Sequence, residues 1–219
     1  MTTVYKIFVV DDHPIMRRGY ASLINREPDL AVCGEAGNAA DALTMIPAAT
    51  PDLVIADLSM PGMSGLELIK QLQARQPALP VLVVSMHDES LYAERALRAG
   101  ARGYIMKSEA DTLVVSAIRA ILEGGFYLSS RMSTKILLQY TGRSPGDARS
   151  PFDRLSDREL EVLELIGQGY STRRIAETLH ISGKTVESHR GRIKTKLALD
   201  SSEELLQCAM QWMRDRGLV

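Results

Sequence analysis

Short apolar runs alternate with longer amphipathic stretches over the first half of the chain. The runs Lys6–Val10, Ala31–Glu35, Leu53–Asp57, Val81–Ser85 and Gly103–Met106 are rich in Val and Ile and apolar nearly throughout, as strands covered on both faces are. The stretches between and after them, Ile15–Asn25, Asn38–Ile46, Ser64–Arg75, Ser90–Ala99 and Glu109–Glu123, repeat apolar residues at helical spacing. Five strands, each followed by a helix, predict a five-stranded parallel, doubly wound α/β domain of flavodoxin-like type with right-handed crossovers. In such a sheet functional groups gather beyond the carboxyl ends of the strands.

The pattern then changes. Ser133–Tyr140 reads as one more short helix, and Thr141–Phe152 (T-G-R-S-P-G-D-A-R-S-P-F) is dense in Gly, Pro and Ser, as a linker is. Beyond it the periodicity is entirely helical. Ser156 and Glu159 form a capping box that opens a helix through Ile166, with Gly167 and Gly169 as its stop. A short helix over Thr172–Leu179, a tight break at His180–Ser182, a longer helix over Gly183–Leu197 and a last one over Ser202–Met213 follow. The predicted division is an α/β domain over 1–127, a linker with a short helix over 128–152, and a small all-α domain over 153–219.

Composition adds limits. The 219 residues are 45% hydrophobic and 24% charged, which excludes a disordered chain. No run approaches the ~18 apolar residues of a membrane span, and Asp11 and Asp12 interrupt the first one, against a signal peptide as well. Cys33 and Cys208 stand far apart, which suggests reduced thiols and a cytoplasmic setting. A net charge of −1 argues against a nucleic-acid partner only until it is divided along the chain. Tyr170–Leu197 carries seven basic and two acidic residues, a local excess of the kind phosphate contacts require.

Three carboxylates stand at predicted strand ends: Asp11 and Asp12 after the first, Asp57 at the end of the third. Ser85 ends the fourth strand and Lys107 follows the fifth. Any one of these alone reads as a solvated loop residue. Together, on parallel neighbours, they converge on one edge, where clustered carboxylates call for a cation. Oxygen ligands beside a phosphate site suit Mg²⁺. A carboxylate held near Mg²⁺ and Lys107 can act as a nucleophile on phosphorus.

The motifs V-V-D-D-H at Val9–His13, D-L-S-M-P-G-M-S-G at Asp57–Gly65, V-S-M-H at Val84–His87 and G-A-R-G-Y-I-M-K at Gly100–Lys107 resemble the receiver domain of bacterial response regulators. The resemblance implies that Asp57 accepts phosphate from a sensor histidine kinase. It implies that Asp11, Asp12, Asp57 and the backbone carbonyl of Ser59 hold Mg²⁺, and that Ser85 and Lys107 contact the phosphoryl group. Tyr104 matches the aromatic switch of that family, while Ser59 and His87 occupy positions that tune hydrolysis of the aspartyl phosphate. Ser108 stands where many receivers carry Pro, so no cis bond is implied. Apart from self-catalysed phosphotransfer and dephosphorylation, no enzyme activity is expected.

On the Gly183–Leu197 helix, turning about 100° per residue, Val186, His189, Arg190, Ile193 and Leu197 share one side. Lys184, Ser188, Gly191, Arg192 and Thr195 share the other, flanked by Glu187 and Lys194. Short helix, turn and long helix form a helix-turn-helix, whose second helix enters the major groove. Gly191 costs about 1 kcal/mol relative to Ala in a helix, which a closely approaching partner would explain. Lys184, Ser188 and Arg192, with Thr185 and Gly191 on the same surface, are placed nearest base edges. Arg173, Arg190, Lys194 and Lys196 are placed against phosphates. Glu187 either accepts from a cytosine amino group or orients an arginine.

Leu155–Leu197 closely resembles the LuxR-type DNA-binding domain, and both halves together resemble the NarL/FixJ subfamily of transcription regulators. This implies control of promoter DNA binding by phosphorylation, through altered dimer contacts or release of the DNA-reading helix from the receiver, and a phosphorylation-dependent homodimer. The last helix carries an apolar stripe of Leu205, Leu206, Ala209, Trp212 and Met213; Leu206, Met210, Trp212 and Met213 are the expected dimer contacts. Two other readings are weighed against this one. A Mg²⁺-dependent phosphohydrolase commonly needs a second acid two residues after the nucleophile, where this chain has Ser59. A LuxR-type regulator that never uses phosphate does not need the five pocket groups present here.

Overall fold

The computed structural model describes residues 3–140 and 151–216. The chain divides into two compact units, Met1–Ser144 and Pro145–Val219. Residues 141–150 of the predicted linker lie outside the described residues.

In the first unit β1 (Tyr5–Val10), β2 (Leu30–Ala36), β3 (Leu53–Ala56), β4 (Val81–Ser85) and β5 (Gly103–Met106) form one sheet. Its order is β2-β1-β3-β4-β5, and every pairing is parallel. Between and after the strands lie α1 (Pro14–Ile24), α2 (Ala39–Ala49), α3 (Gly65–Arg75), α4 (Glu89–Ala99) and α5 (Ala110–Leu122). Ile7, Val9, Leu53, Ile55, Leu82, Val84 and Ile105 bury one face against Tyr20 and Ile24 of α1 and Val114, Ala117, Ile118 and Ile121 of α5. The alternate residues Phe8, Val10, Val54, Ala56 and Val83 are equally buried. Burial on both faces is why these strands read as continuous apolar runs instead of alternating. Three of these helices start where polar caps stop the backbone: Asn38, Ser64 and Asp88 each accept a hydrogen bond from a first-turn N–H. One more helix, α6 (Ser130–Tyr140), begins three residues before the predicted Ser133 and packs on α4.

The order reverses direction between β1 and β3, since the chain goes outward to β2 and then returns across β1. Loops leaving the two adjacent strands therefore diverge and leave a crevice at their carboxyl ends. The β3–α3 loop is pressed onto that crevice. A Cβ on Gly65 would lie 2.0 Å from the carbonyl oxygen of Asp57 and 2.7 Å from the Cα of Leu58. Only glycine lets α3 start so close to the backbone that carries Asp57.

The second unit holds α7 (Asp157–Gly167), α8 (Thr172–Thr178), α9 (Gly183–Leu197) and α10 (Ser202–Arg214). The Ser156–Glu159 capping box is present in both directions. The two glycines after it have different roles. Gly169 takes the left-handed stop (φ 79°), whereas Gly167 is the last helical residue, and a Cβ there would meet Met213 at 2.6 Å. Gly167 is thus the crossing point of α7 and α10. The core contains Leu160, Leu163 and Ile166 of α7, Val186 and Ile193 of α9, and Leu205, Ala209, Trp212 and Met213 of α10. Phe152 packs against Trp212, the rings tilted with centres 5.4 Å apart. Among the described residues no helix is long and apolar enough to cross a membrane.

Candidate functional site

Strand register brings the predicted pocket together. Val10 pairs with Ala56, so Asp11 and Asp57 leave neighbouring strands side by side. Ser85 pairs with Met106, the residue before Lys107, on the next two strands. Asp57 is 2% exposed and Lys107 carries a side chain 5% exposed. The Lys107 ammonium lies 2.7 Å from Asp57 Oδ2 and 2.7 Å from Asp11 Oδ2. The other oxygen of Asp57 accepts from the backbone N–H of Leu58 (2.7 Å) and, at 3.4 Å, of Ser59.

Burial pushes the Asp57 carboxyl above its usual range, and Lys107 offsets this only in part. Burial opposes the charge on Lys107 as well, but Asp57 and Asp11 outweigh it and hold the amine above its ordinary value. Lys107 is a fixed cation. Three carboxylates around a single ammonium leave two negative charges uncompensated, an arrangement that repels itself. Ligand atoms of Asp11, Asp12, His13 and Asp57 all lie within 4.8 Å of one another. One dication brings the charge to zero, and the oxygen donors suit Mg²⁺.

The remaining predicted groups line the same edge. Ser85 is fully buried, and its Oγ accepts from the backbone N–H of His87 at 3.3 Å. Tyr104 is turned inward and donates to the carbonyl of His87 at 2.8 Å. The Ser59 hydroxyl is 2.7 Å from His87 Nε2. A chain of contacts thus runs from the residue two after Asp57, through His87, to Tyr104.

Three participants were not singled out by sequence. Arg17 donates to the Asp11 carbonyl at 2.6 Å and pairs with Glu35 at 3.3 Å, tying down the β1–α1 loop. His13 lies against Asp12. The Tyr20 hydroxyl is buried without a hydrogen-bond partner; burial, then the charges of Asp11 and Asp57, hold its proton far more tightly than usual. An imidazole directly after two aspartates was a visible signal. The reach of Arg17 and Tyr20 across α1 was not.

In the second unit Lys184, Thr185, Glu187, Ser188, Gly191 and Arg192 of α9 are exposed, as is Arg173 of α8, while Lys194 is half-buried. A Cβ on Gly191 would meet nothing within 4 Å, so nothing among the described residues requires glycine there. Thr185 also serves the helix start, its N–H donating to Ser182 Oγ at 3.1 Å. His189 points partly inward, and burial, then Arg158, hold its imidazole below the usual value.

Two basic residues of α9 have partners within their own domain, and two expected dimer contacts are corrected. Arg190, with a side chain 18% exposed, is drawn to Thr172 (3.4 Å) and Glu187 (3.8 Å), and Glu187 in turn accepts from Thr172 at 2.8 Å. These residues brace α8 against α9, because Arg190 lies on the packing side of the helix. Lys196, expected at a phosphate, places its ammonium 2.6 Å from Glu159, whose side chain is 3% exposed. Trp212 and Met213, expected at a dimer contact, are 2% and 1% exposed inside their own domain. Their face of α10 is the one that packs on α7; Leu206 and Met210, at 40% and 41% exposed, face outward.

Burial raises the Glu159 carboxyl, but Lys196 and Ser156 more than offset it and bring it below the ordinary 4.5. A carboxylate lowered in this way contributes stability above its unfolded-state value, and that contribution is lost as pH falls through the folded value. Lys196→Ala is therefore expected to cost the second unit about 1–3 kcal/mol near neutral pH, shrinking in acid below the ordinary carboxylate range. Urea unfolding at both pH values checks this; an equal cost at both would assign the loss to the lysine stem instead of the ion pair.

Residues 7–119 match the response regulator receiver domain family, and residues 153–209 match the bacterial regulatory proteins of the luxR family. The chain is 38% identical over 210 residues to the oxygen regulatory protein NreC of Staphylococcus carnosus, covering 94% of this chain and 97% of that one. It is similar to the response regulator RcsB of Salmonella typhimurium (TM-score 0.66, 26% identity, covering 95% of this chain and 98% of that one). It is also similar to RcsB solved as two dimers bound to two parallel DNAs (TM-score 0.58, 26% identity, 94% and 97% covered).

Proposed function

We propose that this chain, which belongs to the response regulators carrying a LuxR-type DNA-binding domain, accepts phosphate on Asp57 and uses that charge to control its hold on promoter DNA. The chain is a phosphorylation-dependent transcription regulator. What supports Asp57 as the acceptor is its position: a buried carboxylate, 2.7 Å from a buried ammonium, at the crevice between β1 and β3.

In the proposed reaction an Asp57 oxygen attacks the phosphorus of a phosphohistidine on the sensor kinase. An acyl phosphate forms, the P–N bond breaks, and its electron pair leaves on the imidazole. Lys107 supplies positive charge to the phosphoryl oxygens as it gives up Asp57, and Ser85 donates its hydroxyl to them. Mg²⁺, held by Asp11, Asp12, Asp57 and the carbonyl of Ser59, would neutralise charge on the phosphoryl group. Arg17 and the Gly65 contact fix the two loops so that the carboxylates stay convergent. The chain would also catalyse the later hydrolysis, with Ser59 and His87 bordering the path of water.

Engaging Ser85 would shift its contact with the His87 N–H, and Tyr104 hangs on the carbonyl of the same residue. That linkage is the proposed two-state element. Its output is a homodimer, a reading in keeping with the DNA-bound RcsB dimers, in which the exposed Leu206 and Met210 of α10 would meet a second copy. Lys184, Ser188 and Arg192 would read base edges, with Thr185, Gly191 and Glu187 on the same surface and Arg173 and Lys194 against phosphates. Acting on promoter DNA, the chain would work in the cytoplasm.

With Mg²⁺ and acetyl phosphate the full chain is expected to sediment as a dimer and to bind DNA selected from random sequence about 5–150-fold more tightly, the usual range of allosteric coupling. Excess EDTA should prevent both changes. Unchanged mass and affinity on phosphorylated protein would refute the coupling.

A further inference from the structure

One acid stands on the helix assigned to DNA. Glu187 lies in the first half of α9 with its side chain 59% exposed, on the surface that also carries Lys184, Ser188, Gly191 and Arg192. A carboxylate there meets mostly acceptors. Phosphate oxygens, purine N7, guanine O6 and thymine O4 all repel it, and the amino donors in the major groove are cytosine N4 and adenine N6. Such an acid costs affinity wherever no amino group is set against it.

The fold holds this acid in place. Thr172, the first residue of α8, donates its hydroxyl to Glu187 Oε1 at 2.8 Å. The same hydroxyl accepts from Arg190 Nη1 at 3.4 Å. A hydroxyl has one proton and a guanidinium can only donate, so donation runs from Arg190 through Thr172 to Glu187. The Arg190 Nε is buried without a hydrogen-bond partner, 3.8 Å from the same carboxylate oxygen. An exposed glutamate ordinarily sweeps through many rotamers; this one is tied to two helices. Among the described residues its Oε2 makes no hydrogen bond. One turn along, Gly191 leaves the strip beside it bare, since a Cβ there would meet nothing within 4 Å. A base edge can come close.

We propose that Glu187 is a specificity-determining residue that demands cytosine at one position of the sequence α9 reads, with Thr172 and Arg190 as its positioning residues. The proposal rests on the reading of α9 as the helix that enters the major groove. Adenine N6 is flanked by acceptors on both sides, its own N7 and the O4 of the paired thymine. Cytosine N4 has one, the O6 of the paired guanine, so cytosine is favoured. An acid here can read a base or orient an arginine; the direction of donation assigns the first, because the arginine orients the acid.

Selection of bound DNA from random sequence by the full chain, with Mg²⁺ and acetyl phosphate, tests this, followed by titration of the four bases at each selected position. At one position the unaltered chain is expected to prefer cytosine by about 5- to 150-fold. Glu187→Gln should move that preference to adenine, whose N6 and N7 pair with a side-chain amide. Glu187→Ala should bind all four bases alike there. Thr172→Val keeps the side-chain volume and loses the hydroxyl; it should narrow the cytosine preference more than it weakens binding to the other bases. If Glu187 only braces α8 against α9, its variants weaken all four bases by one factor and leave the profile unchanged, and that result overturns the proposal. So does a preference for any base other than cytosine at the position that Glu187→Gln alters. Should the unaltered chain select no sequence at all, the reading of α9 itself fails, and the role of Glu187 with it.

Discussion

Asp57→Asn is expected to take up no phosphate from acetyl phosphate and Mg²⁺, where the unaltered chain takes up one phosphoryl group. The amide keeps the shape of the side chain but lacks the anionic oxygen that attacks phosphorus. Asp11 and Asp12 do not replace it. Asp11 is engaged by the His13 N–H and Lys107, whereas Asp57 is oriented by two backbone donors, Leu58 and Ser59. Intact-mass measurement reads the result directly. Full labelling of the variant would move the acceptor elsewhere. The same experiment separates a regulator from a phosphohydrolase, because a regulator is labelled once whereas a hydrolase would turn over many phosphoesters. Lys107→Ala removes the ammonium that lies between Asp57 and Asp11. It is expected to cut labelling without moving the site.

On DNA, Arg192→Ala and Lys194→Ala should behave differently although both remove one positive charge from α9. Arg192 lies on the exposed face with Lys184, Ser188 and Gly191, whereas Lys194 is half-buried at its flank. Loss of a base contact costs about 1–3 kcal/mol at one position and relaxes preference there; loss of a phosphate contact weakens all sequences alike and lowers the salt slope by about one. Binding to a selected site and its single-base variants, at several salt concentrations, distinguishes the two. Identical profiles would show that the face of α9 is wrongly assigned. Lys196→Ala serves as a contrast: its ammonium belongs to Glu159, so its main effect is expected on stability.

The corrections share one character. Lys194 and Lys196 are two residues apart on one helix, and charge counting treats them alike. Lys196 is claimed by an acid on α7, 37 positions earlier. Arg190 is claimed by Thr172 on α8. Trp212 and Met213 sit in an apolar stripe broad enough to offer both core and surface; only the crossing at Gly167 decides that they are core. His13 was present in a quoted motif, but its ring position depends on the turn that Asp11 makes with it.

By itself the sequence determined the strands, the helices, their caps and the edge on which Asp11, Asp12, Asp57, Ser85 and Lys107 meet. Those follow from periodicity and from polar caps, which are local, and from the rule that parallel strands deliver their loops to one side. Tertiary structure alone decided the order β2-β1-β3-β4-β5, the close approach at Gly65, the inward Tyr104 and the partners of the basic residues on α9. Each of these depends on which distant element packs against which, and hydrophobic pattern records only that a face is buried, not what buries it.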